Sequence, residues 1–157
     1  MDSIKSLLNF FSWFSKSNRG YMKQTGNPFL VEKFYCDGRG PELTKIHWAY
    51  SGRILRAIDF INPDEVAPKH LFFEKVQVYM HTPEEVIDYR NLSDCWITYR
   101  PAGILCFGQS TWLRSYAPRH LAKCSHYQIM FYDELIDVIC ENIEVRDGKY
   151  MASTDTA

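Results

Sequence analysis

Apolar and polar side chains alternate with a period of two along much of the chain, most regularly from His126 to Val145, and that period predicts β-strands. In its first arm Tyr127, Ile129 and Phe131 hold one phase, and Gln128, Met130 and Tyr132 the other. Both phases are largely apolar, which predicts a central strand covered on both faces. A tight turn is expected at Asp133-Glu134. In the second arm Ile136, Val138 and Cys140 alternate with Asp137, Ile139 and Glu141, so one face should be partly wet. Leu135, Ile136, Ile139 and Ile143 also fit a helical period, but β-branched residues are stiff in helices and favour the strand. Ile143 and Val145 fall in the opposite phase to Ile136, Val138 and Cys140. The pattern therefore requires a change of face, or a bulge, near Asn142. Asp147-Gly148 supplies a turn, and the small polar residues 151–157 read as a frayed tail behind a domain spanning 1–150.

The same reading applied to the rest of the chain predicts a mixed architecture. Residues 2–16 form an amphipathic helical pattern, with Ile4, Leu7, Leu8, Phe11 and Phe14 on one stripe. Asp2 and the interrupting Asn9 and Ser12 argue against a signal peptide. Packing on the domain is the favoured fate of this helix; docking on a membrane surface or a partner is the alternative. Strands are expected at Phe29–Cys36, Leu43–Tyr50, Arg53–Ile61 and His70–Met80, the third following a Ser51-Gly52 turn and the fourth carrying a bulge near Glu74-Lys75. Thr82 as N-cap, Pro83 at the first helical position and Glu85 as capping-box partner predict a helix start. Cys95–Arg100 and Ile104–Phe107 read as strands, Gln109–Tyr116 as irregular, and Pro118–Cys124 as a short helix. The sum is an α+β single domain: an antiparallel sheet of about six strands, an N-terminal amphipathic helix and one or two short helices.

Composition sharpens this in two places. The chain has 157 residues, 46% of them hydrophobic and 15% aromatic, enough for a core and unlike a disordered chain. Its formal net charge of -1 lacks the basic excess usual in nucleic-acid binders. Arg100, Arg114, Arg119 and Lys123 lie among Trp96, Tyr99, Trp112 and Tyr116. That pattern admits single-strand binding by stacking, and equally a protein interface with Trp and Arg anchors. The five cysteines are widely spaced, with no C-x-x-C pair, and read as reduced, buried thiols of a cytoplasmic protein.

No nucleophile elbow, phosphate-binding loop or dinucleotide fingerprint occurs. His120, Cys124 and His126 lie within seven residues and could supply three ligands to a zinc ion, or a thiol and base to a small enzyme of unfamiliar type. A fourth ligand would have to come from elsewhere, so no metal or cofactor is expected. Asp133, Glu134, Asp137, Glu141 and Glu144 make the hairpin acidic.

The run HYQIMFYDE, continued by IDVICE, resembles the closing hairpin of small bacterial immunity proteins, which accompany polymorphic and contact-dependent growth-inhibition toxins. The strand and capped helix expected from Leu71 to Tyr89 are similar in style to such proteins. The resemblance implies a non-enzymatic cytoplasmic inhibitor that neutralises a cognate protein toxin, often a nuclease, by direct binding. Asp133, Glu134, Asp137, Glu141 and Glu144 would then meet a basic toxin face, with Trp96 and Trp112 as aromatic anchors. The alternatives are the small enzyme just described and a nucleic-acid- or membrane-associated accessory protein.

Overall fold

The computed structural model describes residues 26–36, 39–86, 103–116 and 118–152. Among them are nine strands: β1 (Asn27–Phe29), β2 (Glu42–Ala49), β3 (Ile54–Ile61), β4 (Lys69–Glu74), β5 (Val78–Pro83), β6 (Ile104–Gly108), β7 (Ser125–Met130), β8 (Glu134–Cys140) and β9 (Asn142–Asp147). They form two sheets, ordered β1-β6-β7-β8-β5 and β2-β3-β4-β9, with every pairing antiparallel. Among the described residues helix is confined to one turn, α1 (Thr111–Arg114), and to 3-10 turns at Glu84–Val86 and Pro118–His120.

The expectation of a single six-stranded α+β sheet is therefore corrected to a two-sheet β-fold. The physical reason lies at two corners. The period-two run from His70 to Met80 breaks at Lys75, whose backbone is left-handed (φ 49°). This sends β4 into one sheet and β5 into the other. Glu141 makes the matching break between β8 and β9. The corners are paired: Glu141 N–H donates to the Glu74 carbonyl at 3.0 Å and Gln77 N–H to that of Ile139 at 2.9 Å. One antiparallel ribbon, β4-β5 against β8-β9, thus bends from sheet to sheet, a device known from packed sheets whose strands switch layers. The phase change at Asn142 is this corner seen from the sequence.

The helix expected from Thr82 is also overturned at its start. Thr82 and Pro83 extend β5 and pair with Leu135 and Glu134; ladder formation along β8 outweighs the local cap. Phe29–Cys36 is strand only to Phe29. The chain then turns, with Lys33 and Phe34 N–H both bonded to the Leu30 carbonyl. The helix at 118–124 shrinks to Pro118–His120. The amphipathic segment 2–16 and the strand at 95–100 lie outside the described residues. No described helix is long and apolar enough to cross a membrane.

The two sheets share one core. Ile58, Phe60, Leu71, Phe73 and Ile143 meet Ile104, Tyr127, Ile129, Ile136, Val138 and Cys140 across it, and burying such side chains is the main favourable term in folding. Phe34, fully buried in the turn after β1, closes one end, edge-on to Phe60 at 4.8 Å and to Phe131 at 5.2 Å. The opposite face of the five-stranded sheet is covered as well: Leu113 of α1, Leu121 and Cys124 pack on Ile139. Ser110 caps α1, its hydroxyl accepting from Leu113 N–H at 3.0 Å.

Candidate functional site

Two edge strands of opposite sheets lie beside one another. Among the described residues β2 pairs only with β3, and β5 only with β8. Trp48 of β2 and Tyr79 of β5 bring their rings to 5.0 Å, yet each remains about two-fifths exposed, at 40% and 41%. Met80, the next residue of β5 and therefore on its other face, is also exposed. Tyr50 follows at the β2-β3 turn, 71% exposed and held at φ 50°. A bulky aromatic in the left-handed region costs roughly 1–2 kcal/mol, so local turn stability does not account for this tyrosine. Trp48 and Tyr79 thus make an aromatic edge between the two sheets.

At the other end of β2, about 17 Å away by strand rise, an open cleft of about 180 Å³ is lined by Arg39, Glu42, Leu43, Phe131, Tyr132, Asp133 and Glu134. Close backbone approach builds it. Gly40 lies so near the β7-β8 turn that a Cβ there would come 2.7 Å from the Phe131 carbonyl carbon, and Tyr132 N–H donates to the Pro41 carbonyl at 2.9 Å. The Arg39 guanidinium rests 3.7 Å from the centre of the Tyr132 ring. His81 Nε2 lies 3.1 Å from Glu134 Oε2, but the alignment is not that of a hydrogen bond and this oxygen, closed to solvent, accepts none.

The outer face of the five-stranded sheet holds a buried polar cluster. His126 Nε2 donates to Asp137 Oδ1 at 2.9 Å, and the Gln128 amide to the same oxygen at 3.2 Å. A bulge between Cys106 and Gly108 turns Phe107 so that it stacks on the imidazole at 5.0 Å, while Trp112 meets its edge at 4.9 Å. His126 Nδ1 and Gln128 Oε1 have no hydrogen-bond partner. The outer face of the four-stranded sheet has its own pair, His47 Nε2 to Asp59 Oδ2 at 2.8 Å, covered by Tyr150, whose N–H donates to Asp59 Oδ1 at 2.8 Å.

The residues nominated from sequence are dispersed by this architecture. Asp133 and Glu134 stand together at the cleft. Asp137 is buried and bound to His126. Glu141 pairs with Lys75 at the corner, at 2.9 Å, and Glu144 with Arg146 on the outer face of the other sheet, at 2.7 Å. Trp112 packs on His126, and Trp96 lies outside the described residues. Of the zinc candidates, His120 is exposed, Cys124 is buried in a small apolar cluster and His126 faces Asp137. Burial, reinforced by Glu141, raises the Cys124 thiol pKa. Among the described residues no three His, Cys, Asp or Glu side chains are grouped to hold a metal. Sequence reasoning missed Glu42, Arg39, Trp48 and Tyr79. Nothing in their local patterns marks them, because only the sheet-to-sheet packing brings them to one side.

The chain matches no family model, no curated protein and no solved structure.

Proposed function

We propose that this protein is a non-enzymatic binding protein of the immunity type, which neutralises a cognate protein toxin in the bacterial cytoplasm by direct contact. The observation that carries this reading is the aromatic edge, in which Trp48 and Tyr79 meet across two edge strands while two-fifths exposed, with Tyr50 exposed at the turn that follows β2. Tryptophan and tyrosine dominate the energetics of protein interfaces, since they bury much surface at little entropic cost. The strained backbone of Tyr50 supports a role that local stability does not explain. The acidic cleft beside the same β2 strand supplies charge complementary to a basic toxin surface.

The test is growth rescue. The protein encoded next to this one, expressed alone, should arrest growth, and co-expression of this chain should restore it. A Trp48→Ala/Tyr79→Ala double variant that retains its circular dichroism and melting behaviour should lose most of the rescue. Unchanged rescue by the double variant, or a neighbour that causes no arrest, defeats the proposal.

A further inference from the structure

Among the described residues four strands form the edges of the two sheets, and three of them are blunted. β1 has three residues, one of them Pro28. β2 is interrupted by two register shifts against β3 and carries Glu42 and Lys45. β9 carries Glu144, Arg146 and Asp147. Short length, proline, bulges and charge are the devices that keep natural sheet edges from pairing with another chain. β5 has almost none of them. Its six residues, VYMHTP, include no Lys, Arg, Asp or Glu, and proline enters only at the last position. They pair with β8 without a register shift. The strand is also uncovered. Tyr79, Met80 and His81 are consecutive and all exposed, and consecutive residues face opposite sides of a sheet. An exposed, regular, uncharged edge offers its outward N–H and C=O groups to another strand.

We propose that β5 pairs with β5 of a second copy, antiparallel, about a two-fold axis at Met80. The chemistry of the strand favours this occupant. Centred on Met80, the pairing sets each Tyr79 opposite the partner's His81 and each Val78 opposite the partner's Thr82. No like charges meet, and an aromatic cross-strand pair forms twice. Two five-stranded sheets become one of ten strands. The two-fold closes the contact at a dimer, because each β5 edge is used once. Tyr79 stands against Trp48 at 5.0 Å, so the contact continues from the β5 backbone onto the aromatic edge of each copy. That edge adds the apolar area that a six-residue strand pair lacks by itself. One consequence rests on the reading of this edge as the toxin-binding surface: the dimer covers it, and the toxin must displace the second copy. The self-pairing stands on the strand alone.

The test therefore uses the full chain alone. Analytical ultracentrifugation from about 1 μM to about 1 mM, a span that brackets small interfaces, should show monomer giving way to dimer. Hydrogen exchange at the two ends of that range should show the backbone amides of residues 79–82 slowed at high concentration. Met80→Lys sets two cations against each other at the axis and should weaken the dimer about tenfold or more. Val66→Lys adds the same charge at a residue 93% exposed in the loop between β3 and β4 and should leave the dimer unchanged. A single monomeric species throughout overturns the inference. So does a dimer that leaves exchange at 79–82 unaltered, or one that both lysine variants weaken equally. Self-association is read with no toxin present, and a monomer can still rescue growth through Trp48 and Tyr79, so the two proposals fail separately.

Discussion

Asp137 reaches diagonally across the β7-β8 hairpin to His126, Oδ1 to Nε2 at 2.9 Å, with both residues more than nine-tenths buried. Two polar residues on the side of the hairpin that the alternation assigns partly to solvent are thereby tied to each other beneath Phe107 and Trp112.

The first prediction follows from that pair. Asp137→Ala leaves the His126 Nε2–H and the Gln128 amide without an acceptor in a closed environment, which should cost about 2–4 kcal/mol. Asp137→Asn retains one acceptor oxygen and should cost less, about 1 kcal/mol. Urea unfolding of the three proteins measures both values. Superimposable curves would show that the pair contributes nothing.

Glycine at the loop-to-turn contact is the second. A methyl group at Gly40 meets the Phe131 and Tyr132 backbone at 2.7–2.9 Å, and backbone cannot swing aside as a flexible side chain can. Gly40→Ala should destabilise by about 1–3 kcal/mol. It should also move Arg39 off Tyr132, read as a change in tyrosine fluorescence or ring chemical shifts. A variant with parent-like stability would mean that the loop relaxes freely.

Tyr50 gives the third, which has the opposite sign for stability. Asparagine tolerates the left-handed region better than tyrosine does. Tyr50→Asn at φ 50° should therefore stabilise the fold by about 0.5–1 kcal/mol while weakening growth rescue. A loss of stability would mean that the exposed ring makes intramolecular contacts worth more than the backbone strain.

Alkaline pH is the fourth. Burial pushes the Cys36 thiol from 9.0 up to about 11 and the Tyr127 hydroxyl from 10.0 up to about 12, and raises the Cys140 thiol as well. These folded-state values lie above the unfolded ones, so the folded chain holds the protons more tightly. Their contribution is complete below about pH 9 and is lost as pH rises from there towards about 11 and 12. Over that window each group can remove up to about 1.4 kcal/mol per pH unit. Melting temperatures should be flat with respect to these groups below pH 9 and fall above it. Cys36→Ser should flatten the first part of the decline, and an unchanged slope would assign the loss to other groups.

Local pattern carried a good deal of this fold. The β2-β3 hairpin and the Tyr127/Ile129 and Ile136/Val138 alternations appear where periodicity placed them, because a half-buried ladder imposes its period on its own side chains. The anomalies at Glu74-Lys75 and Asn142 were legible as irregularities. Their meaning was not: a bulge within one sheet and a corner between two sheets leave the same trace in a phase. The Thr82-Pro83 cap misled because its competitor, pairing with Leu135 and Glu134, lies about 50 residues away in the chain.

For the candidate site the division is sharper. Composition and alternation alone determined that this is an aromatic chain rich in strands, with an acidic turn at Asp133-Glu134 and no familiar catalytic motif. Tertiary structure decided which carboxylates face solvent together, which are consumed by His126, Lys75 and Arg146, and which residues join the turn from elsewhere: Glu42 and Arg39 at the cleft, Trp48 and Tyr79 along the edge. The reason is that alternation specifies on which side of its own strand a residue stands. What stands opposite is set by the bend at Lys75 and Glu141 and by the packing of one sheet on the other.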